Sequence, residues 1–383
     1  MVKTLFKSKK IAQTLLFILL VVFPFGQIIK IGYVNVIDVV VGTIAVFTML
    51  SGPIYPKWYR YIAYFLLFGL FSWAFNAILL SNGLIFKGFL YLFRLFTYSL
   101  LPVFIANNFV IKENNLKTKE QRKKIVNSLL VVVMVAAVFG WLQYFLLPDT
   151  RSFKILGWDD HYFRLIGSFL DPTFTAIILV LGAILAAYKR KRVLGLFFLT
   201  TLAFTYSRAG YLALLVSILY FSIKKHSLKL FLFPAVIFLI LISMLPKSVG
   251  GEGVKLTRTS TVSARLINFR DSTKLILNSP VIGVGLNNIC PTKLRYEIES
   301  NPDSHSCFGL DSSVLFLFAT TGVLGTMILG YAFLQIKYSE ILFTSFLAVL
   351  AHSFFSNSLF YPHVMVWLWV LVGLGSEVNV KRS

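Results

Sequence analysis

Apolar runs of membrane-spanning length recur along almost the whole chain. They lie near residues 11–29, 33–51, 58–80, 84–108, 125–147, 171–188, 192–206, 209–223, 230–246, 311–333, 341–359 and 362–377. A helix needs roughly 20 apolar residues to cross a bilayer, and inside lipid every backbone polar group must bond within its own segment. The 57% hydrophobic content also exceeds that of a soluble domain. The sequence therefore predicts an all-α, polytopic membrane protein with about twelve transmembrane helices.

The basic residues lie in the gaps between the apolar runs. Lys+Arg 37 against Asp+Glu 15 gives a net charge of +22, but the cations form no single basic domain of the kind that binds nucleic acid. They fill every second gap between runs: Lys3 to Lys10, Lys57 with Arg60, Lys112 to Lys124, Lys189 to Arg192, Lys224 with Lys225, Lys337, and Lys381 with Arg382. Cytoplasmic loops carry such an excess. We therefore expect both termini in the cytoplasm and no nucleic-acid partner.

Two places in this predicted arrangement of spans need an interpretation of their own. The first run, within Met1 to Ile29, has a basic start but no small-x-small cleavage site, so we interpret it as a retained span and not as a signal peptide. The seventh and eighth runs are short and separated only by Ser207-Arg208. They form either two spans or one bent hairpin.

The longest segment without an apolar run of membrane length is 247–310, which we expect on the outer side as a helical loop. It divides the chain into transmembrane helices 1–9 (residues 1–246), the outer loop (247–310) and transmembrane helices 10–12 (311–383). Within Ser263 to Pro280, a helical spacing of three or four residues places Leu266, Phe269, Thr273 and Ile276 on one face, which is suited to the membrane surface. After it, Gly283-Val-Gly285 is expected to supply a flexible turn.

Five arginines fall on the side where basic residues are normally scarce. These are Arg164, Arg208, Arg258, Arg265 and Arg270. An anionic ligand explains their presence, whereas the plain alternative is that long translocated segments tolerate solvated charge. Arg208 fits the plain alternative least well, because it lies tightly between two apolar runs, where an unpaired cation is costly.

Other polar residues allow more than one interpretation. Cys290 and Cys307 lie seventeen positions apart, and either pair in an oxidising compartment or remain free thiols. Lys87 and Arg94 share a helical face, and either extend a cationic path, or snorkel and form a buried ion pair. The sequence contains no nucleotide-binding Gly-rich loop and no metal-spaced His/Cys cluster.

Four stretches, in order, resemble the O-antigen ligase and O-antigen polymerase superfamily of bacterial envelopes. They are Arg164-Leu-Ile-Gly-Ser-Phe-Leu-Asp-Pro-Thr173, Phe204-Thr-Tyr-Ser-Arg-Ala-Gly210, the segment from Arg265 through Pro280-Val-Ile-Gly-Val-Gly285, and Asp311-Ser-Ser through Gly322-Val-Leu-Gly325. The resemblance implies a GT-C-like membrane glycosyltransferase that uses neither a nucleotide sugar nor a metal or other cofactor. It also implies a location in the bacterial inner (cytoplasmic) membrane.

The same resemblance implies the substrates. The donor is a glycan on undecaprenyl pyrophosphate at the outer face of the membrane. The acceptor is another lipid-linked glycan for a polymerase, or lipid A-core for a ligase. A transporter or flippase for such a lipid is the alternative from another class. It would need cations that reach both faces, whereas the outward arginines cluster at one.

The resemblance also implies roles for individual residues, according to their positions in the four stretches. Arg164, Arg208 and Arg265 are expected to hold the pyrophosphate, because the planar guanidinium suits phosphate oxygens. Asp311 is expected to accept the proton of the attacking hydroxyl, with His305 as second choice. The alternatives are a helix N-terminal carboxylate for Asp311 and a solvated loop histidine for His305. Ligases commonly have His-Asn where this chain has Asp311-Ser312, so the sequence favours a polymerase.

Overall fold

The computed structural model describes residues 2–31, 34–80, 85–110, 116–246, 251–256, 259–299, 301, 307 and 309–376. The α-helices whose bounds it gives are α1 (Val2–Val22), α2 (Val36–Leu50), α3 (Tyr59–Leu80), α4 (Ile85–Ser99), α5 (Leu101–Ile105), α6 (Leu116–Leu146), α7 (Pro172–Tyr188), α8 (Arg192–Ala203), α9 (Arg208–Lys224), α10 (Lys229–Ser243), α11 (Ser260–Asn278), α12 (Ile289–Arg295), α13 (Ser313–Leu334), α14 (Glu340–Ser353) and α15 (Pro362–Gly375). The only strands in these ranges are the antiparallel pair β1 (Lys30–Ile31) and β2 (Val34–Asn35).

The prediction of an all-α membrane protein is confirmed. Four helical stretches of the described chain are long and apolar enough to cross a membrane, namely Tyr59–Ile78, Gly88–Val110, Thr118–Leu146 and Ser313–Leu334. Six shorter apolar helices accompany them. Every predicted apolar run contains an α-helix, whereas the number of spans stays a prediction. The seventh and eighth runs form two separate helices, α8 and α9, which both pack against α7.

The connections between helices gather at two opposite ends of the bundle. At the end that we call the loop end, residues 23–31, 34–35, 147–171, 204–207, 251–256, 259–299 and 354–361 meet. Hydrogen bonds there join Gln27 to Ser168, Leu165 to Phe204, Arg208 to Leu256 and Asp311 to Asn268. At the other end, hydrogen bonds join Ile54 to Asn107 and Trp58 to Ser376, and an ion pair joins Lys225 to Glu340. The predicted outward segments therefore share one end.

The segment Pro280 to Gly285 is inserted into a break in helix α13. Gly322 has non-helical dihedrals within this helix (φ 62°, ψ −168°). The backbone groups freed by the break bond to the inserted segment: Val284 N–H to Ala319 O (2.8 Å), Gly285 N–H to Thr320 O (2.9 Å), Val323 N–H to Pro280 O (2.9 Å) and Leu324 N–H to Val281 O (3.2 Å). The expected flexible turn is thus a fixed, buried connection that ties α11 to α13.

Helix α3 closes the other side of this insertion. The hydroxyl of Ser72 donates to the carbonyl of Ile282 at 2.7 Å, and the amide of Asn76 donates to the carbonyl of Gly283 at 3.0 Å. These carbonyls belong to irregular backbone at the edge of an apolar bundle, where an unpaired polar group is costly. The polar residues of α3 therefore satisfy the segment that positions α11.

One of the alternatives for Arg94 is also resolved. Its guanidinium lies 2.6 Å from a carboxylate oxygen of Asp38 on α2, and the hydroxyl of Tyr98 donates to the other oxygen at 2.7 Å. Arg94 thus forms the ion pair that the sequence allowed. The side chain of Lys87 lies outside the described part of the chain.

Candidate functional site

A cleft of about 340 Å³ lies at the loop end between helices α9 and α11. Its lining consists of two arginines among apolar or small residues: Arg208, Ala209, Leu212, Val262, Arg265, Leu266, Phe269 and Phe355. Phe355 comes from the turn that follows α14. Two of the three predicted pyrophosphate ligands therefore meet in one cleft with apolar walls.

Arg208 is the first residue of helix α9. Ser207 caps this helix by accepting a hydrogen bond from Gly210 N–H at 3.3 Å. Arg208 is half-buried and donates from Nη1 to the carbonyl of Leu256 at 3.3 Å. The first turn of a helix has free N–H groups and the positive end of the helix dipole, both of which favour an anion. The guanidinium adds a full charge at this site.

Arg265 faces the cleft from α11. Its guanidinium carbon lies 5.6 Å from the ring centroid of Phe355, within the range of a cation–π contact. Burial lowers the pKa of Arg265, and the charge of Arg208 acts in the same direction, while those of Asp311 and Asp171 oppose it. Arginine stays protonated in proteins despite such shifts. An anionic ligand would relieve the repulsion between the two cations.

The face of α11 that packs against the bundle differs from the apolar stripe seen in the sequence. Ser272 and Leu275 are fully buried, whereas Leu266 is 65% exposed. Arg265 and Asn268 lie half-buried on the same face as Ser272, at helical spacing. The helix thus turns Arg265 partly inward, toward the ring of Phe355, and Arg265, Leu266 and Phe269 line the cleft together.

Arg164 does not line the cleft. It is buried, and it donates from Nε and Nη2 to the carbonyl of Thr205 at 3.1 and 3.0 Å, and from Nη2 to that of Tyr206 at 3.4 Å. These carbonyls belong to the turn that leads from α8 into Arg208. The contacts make Arg164 a support for the Arg208 turn, while direct contact with a pyrophosphate stays a prediction.

Asp171 follows Arg164 in the same sequence motif and caps helix α7. Its carboxylate accepts from the backbone N–H groups of Thr173 and Phe174. Together, Asp171 and Arg164 fix the segment between α6 and α7 at the loop end.

Asp311 is exposed and lies directly before helix α13. The helix cap is the next residue, because the hydroxyl of Ser312 accepts from Leu315 N–H at 3.4 Å. The N-cap position itself is therefore held by a serine. The backbone N–H of Asp311 donates to Oδ1 of Asn268 at 3.0 Å, and its charge acts on Arg265. A carboxylate thus stands next to the cationic cleft. Its role as a base stays a prediction.

Cys290 and Cys307 form a disulfide, and both are fully buried. The bond joins α12 to the chain four residues before Asp311. Of the two alternatives from the sequence, the structure has the paired one. His305 and Arg258 lie outside the described residues.

Two residues of the site were not singled out from the sequence. Asn268 lies three positions after Arg265, so a helical projection places them on one face and offers a signal for it. Phe355 carries no such signal, because its contact with Arg265 joins segments that are distant in sequence. No group of three His, Cys, Asp or Glu residues in the described ranges is arranged to hold a metal ion. The prediction of a metal-independent site is not tested by this.

Comparison with known families agrees with the resemblance. The Wzy_C family model, described as O-antigen ligase, matches residues 193–330. The match runs from α8 into α13 and contains Arg208, Arg265 and Asp311, while Arg164 lies before it. A search of curated proteins gave no match. The predicted relation to the O-antigen ligase and polymerase family is thereby confirmed.

Proposed function

We propose that this chain, which carries a domain of the O-antigen ligase family, transfers a glycan from a polyprenyl pyrophosphate to a hydroxyl group of an acceptor glycan. The proposal rests above all on the cleft in which Arg208 and Arg265 meet between apolar walls. In our reading the enzyme is a metal-independent polymerase of the bacterial cytoplasmic membrane, and its donor is undecaprenyl-pyrophosphate-linked.

The two arginines would act on the leaving group. During transfer, the bond between the anomeric carbon and the pyrophosphate oxygen breaks, and that carbon bonds to the acceptor oxygen. The bonding electrons stay on the pyrophosphate, so negative charge grows there in the transition state. Fixed cations beside this charge are worth more in the transition state than in the ground state, which is the requirement for catalysis.

Asp311 would accept the proton that the acceptor hydroxyl loses. Its position directly before the cap of α13, and its interaction with Arg265, support this role. An ionised carboxylate is an acceptor of hydrogen bonds. His305 remains the second candidate for the same step.

The walls of the cleft suit the lipid part of the donor. Leu212 and Phe269 are 38% and 36% exposed, and Val262 is 43% exposed, although all three line the cleft. Such surface is unfavourable in water but favourable against hydrocarbon. A polyprenyl chain can therefore run along α9 and α11 while its pyrophosphate lies at the arginines.

A ligase that transfers to lipid A-core is the second candidate, and the description of the matching family model favours it. We place the polymerase first because Asp311-Ser312 stands where ligases commonly have His-Asn. A flippase would need a cationic path to both ends of the bundle, whereas the described cleft lies at the loop end.

The orientation follows from the charges. Lys57, Lys225 and Lys337 belong to the connections at the end opposite the cleft, as positive-inside placement requires of a cytoplasmic side. We therefore infer twelve spans, both termini in the cytoplasm, and the cleft at the outer surface.

The experiment uses purified protein in vesicles with a lipid-linked repeat unit. A polymerase gives a ladder of longer lipid-linked glycans, whereas a ligase gives product only when lipid A-core is added. Unchanged lipid that moves between the leaflets would identify a flippase. The absence of any glycan product with either acceptor would overturn the proposed transfer.

A further inference from the structure

Arg265 is held in the cleft by an aromatic ring. In the part of the chain that the structure describes, no residue forms a hydrogen bond or an ion pair with its guanidinium. Its contact is with Phe355, whose ring centroid lies 5.6 Å from the guanidinium carbon. A cation–π contact attracts the charge of an arginine without accepting its N–H donors in ordinary hydrogen bonds. The donors of Arg265 are therefore available to a ligand in the cleft.

The kind of partner decides what an arginine can still bind. A carboxylate beside Arg265 would neutralise its charge and accept its donors. Arg94 shows that arrangement in this chain, because its guanidinium lies 2.6 Å from a carboxylate oxygen of Asp38. The ring of Phe355 attracts the cation and leaves the charge uncompensated. The cleft thus keeps a positive charge that is positioned but not neutralised, which suits an anionic ligand.

Phe355 lies on a turn that is fixed on both sides of it. The backbone N–H of Phe355 donates to the carbonyl of His352 at 3.0 Å. Nδ1 of His352 and Oγ of Ser358 share a hydrogen bond of 2.5 Å, and both residues are fully buried. A single buried histidine at the end of α14 therefore holds the turn before and after Phe355.

The same turn is bonded to the start of helix α13. The hydroxyl of Ser312 donates to the carbonyl of Ser353 at 3.0 Å, and the hydroxyl of Ser313 accepts from Leu359 N–H at 3.0 Å. Ser312 directly follows Asp311 in the chain. The turn that presents the ring and the segment that carries the candidate base are therefore joined by hydrogen bonds.

We propose that Phe355 is a positioning residue for Arg265, whose ring fixes the guanidinium in the cleft and leaves its N–H donors to the pyrophosphate. This inference rests on the proposed glycan transfer. In the step concerned, the bond between the anomeric carbon and the pyrophosphate oxygen breaks, and its electrons stay on that oxygen. The acceptor oxygen bonds to the same carbon and loses its proton to Asp311. Phe355 forms no bond and takes no proton.

The test is a double-mutant cycle on the rate of glycan transfer in vesicles with a lipid-linked repeat unit. Phe355→Leu removes the ring and keeps an apolar side chain. We expect it to lower kcat by about tenfold, because misplacement of a group by about 1 Å costs up to 10²-fold. In the Arg265→Ala background the same change should alter the rate by less than about twofold, since the ring then has no cation to hold. Phe355→Tyr keeps an aromatic face and should transfer at close to the wild-type rate.

Phe354→Leu serves as the matched control. Phe354 is the preceding residue of the same turn, but it is 48% exposed and does not line the cleft. Its replacement should leave the rate near the wild-type value. If Phe355→Leu does not fold, Phe355→Met takes its place, because methionine adapts to the same space without a ring. We expect the same loss of rate from this variant.

A merely structural role of Phe355 would slow transfer by the same factor with and without Arg265. Such an additive cycle would overturn the inference, and so would an unchanged rate in folded Phe355→Leu. With a wild-type protein that transfers glycan, either result rejects only the role of Phe355 and leaves the proposed function intact.

Binding of undecaprenyl pyrophosphate without a glycan separates a failure of the proposed function. A wild-type protein that binds this lipid but transfers no glycan would reject the transfer, and the same cycle is then measured on binding. Weaker binding in Phe355→Leu, but not when Arg265 is already alanine, would support the positioning role. A wild-type protein that neither binds the lipid nor transfers glycan would overturn both proposals.

Discussion

The side-chain oxygen of Asn268 accepts a hydrogen bond from the backbone N–H of Asp311, at 3.0 Å and across 43 positions of the sequence. Asn268 follows Arg265 by one turn of helix α11. The same helix therefore presents a cation to the cleft and fixes the backbone of the candidate base. A small movement of α11 would displace both groups together.

Asn268→Leu removes the acceptor and keeps a similar volume. The N–H of exposed Asp311 can then bond to water, so we expect the stability to fall by no more than about 1 kcal/mol. Activity should fall by about tenfold or more, because misplacement of a reacting group by about 1 Å costs up to 10²-fold. Thermal unfolding and the rate of glycan transfer provide the two measurements.

Asn278→Leu is the control for this prediction, since Asn278 is exposed at the end of the same helix. It should leave both quantities near the wild-type values. Equal rates for Asn268→Leu and the wild-type protein would show that the bond to Asp311 does not matter for transfer.

The insertion of Pro280–Gly285 into the break in α13, which we call the interlock, predicts that two glycines do not tolerate substitution by alanine. A Cβ atom at Gly283 (φ +73°) would lie 2.4 Å from the carbonyl carbon of Thr320, and one at Gly322 (φ +62°) would lie 2.3 Å from the carbonyl oxygen of Val281. Alanine at either position should lower the free energy of unfolding by about 1–3 kcal/mol from the backbone conformation alone, and by more from the clash.

Gly330→Ala offers a control within the same helix, because nothing lies within 4 Å of the added Cβ. It should be neutral, or should raise the stability by about 0.5–1 kcal/mol through the higher helix propensity of alanine. Thermal unfolding in detergent compares the three variants. If Gly283→Ala unfolds at the wild-type temperature, the interlock does not contribute to stability as we describe it.

Much of the fold was predictable from the sequence, and the interlock was not. Each apolar run contains a helix because a segment in lipid must satisfy its own backbone bonds. The insertion at Gly322 depends on backbone bonds between segments about 40 residues apart, for which no local pattern exists. Gly283 was visible in the sequence as a residue of a turn and Gly322 as part of a motif, but neither as a place of close contact.

Part of the candidate site was likewise predictable from the sequence, and part was not. Arg208 and Arg265 were predictable because positive charge on the outer side opposes the usual orientation signal. The support that Arg164 gives to the Arg208 turn depends on carbonyl directions, which a sequence does not specify. The burial of Lys293 on α12, which is only 1% exposed, was not predictable, because a lysine in a polar segment is usually solvated and only tertiary packing buries it.

The disulfide predicts a stabilised outer segment. In the chain-entropy model, a bond across seventeen positions contributes roughly 3 kcal/mol. We expect Cys290→Ser/Cys307→Ser to unfold at a lower temperature than the wild-type protein, and reduction of the wild-type protein to have the same effect. Mass analysis of unreduced peptides should find the two cysteines linked. Two alkylatable thiols before reduction would contradict the bond.

The membrane orientation predicts opposite accessibility for two exposed lysines. Lys274 lies on α11 and Lys119 near the start of α6. In intact cells, a membrane-impermeant thiol reagent should label Lys274→Cys, whereas Lys119→Cys should react only after the membrane is opened. The parent protein without an added cysteine gives the background. Labelling of both positions in intact cells would be incompatible with the proposed topology.

The arginines of the cleft provide the test of mechanism. If Arg208 and Arg265 hold the leaving pyrophosphate, Arg208→Ala or Arg265→Ala should slow transfer by about 10²–10³-fold, as removal of one such donor typically does. Arg208→Lys should recover only part of the rate, because lysine keeps the charge but lacks the planar fork. Arg270→Ala is the matched control on α11, where Arg270 is exposed, and it should stay within a few-fold of wild type. The measurements are thermal stability, membrane insertion and the length distribution of the glycan product. Normal ladders from well-folded Arg208→Ala and Arg265→Ala would leave the pyrophosphate without its proposed ligands.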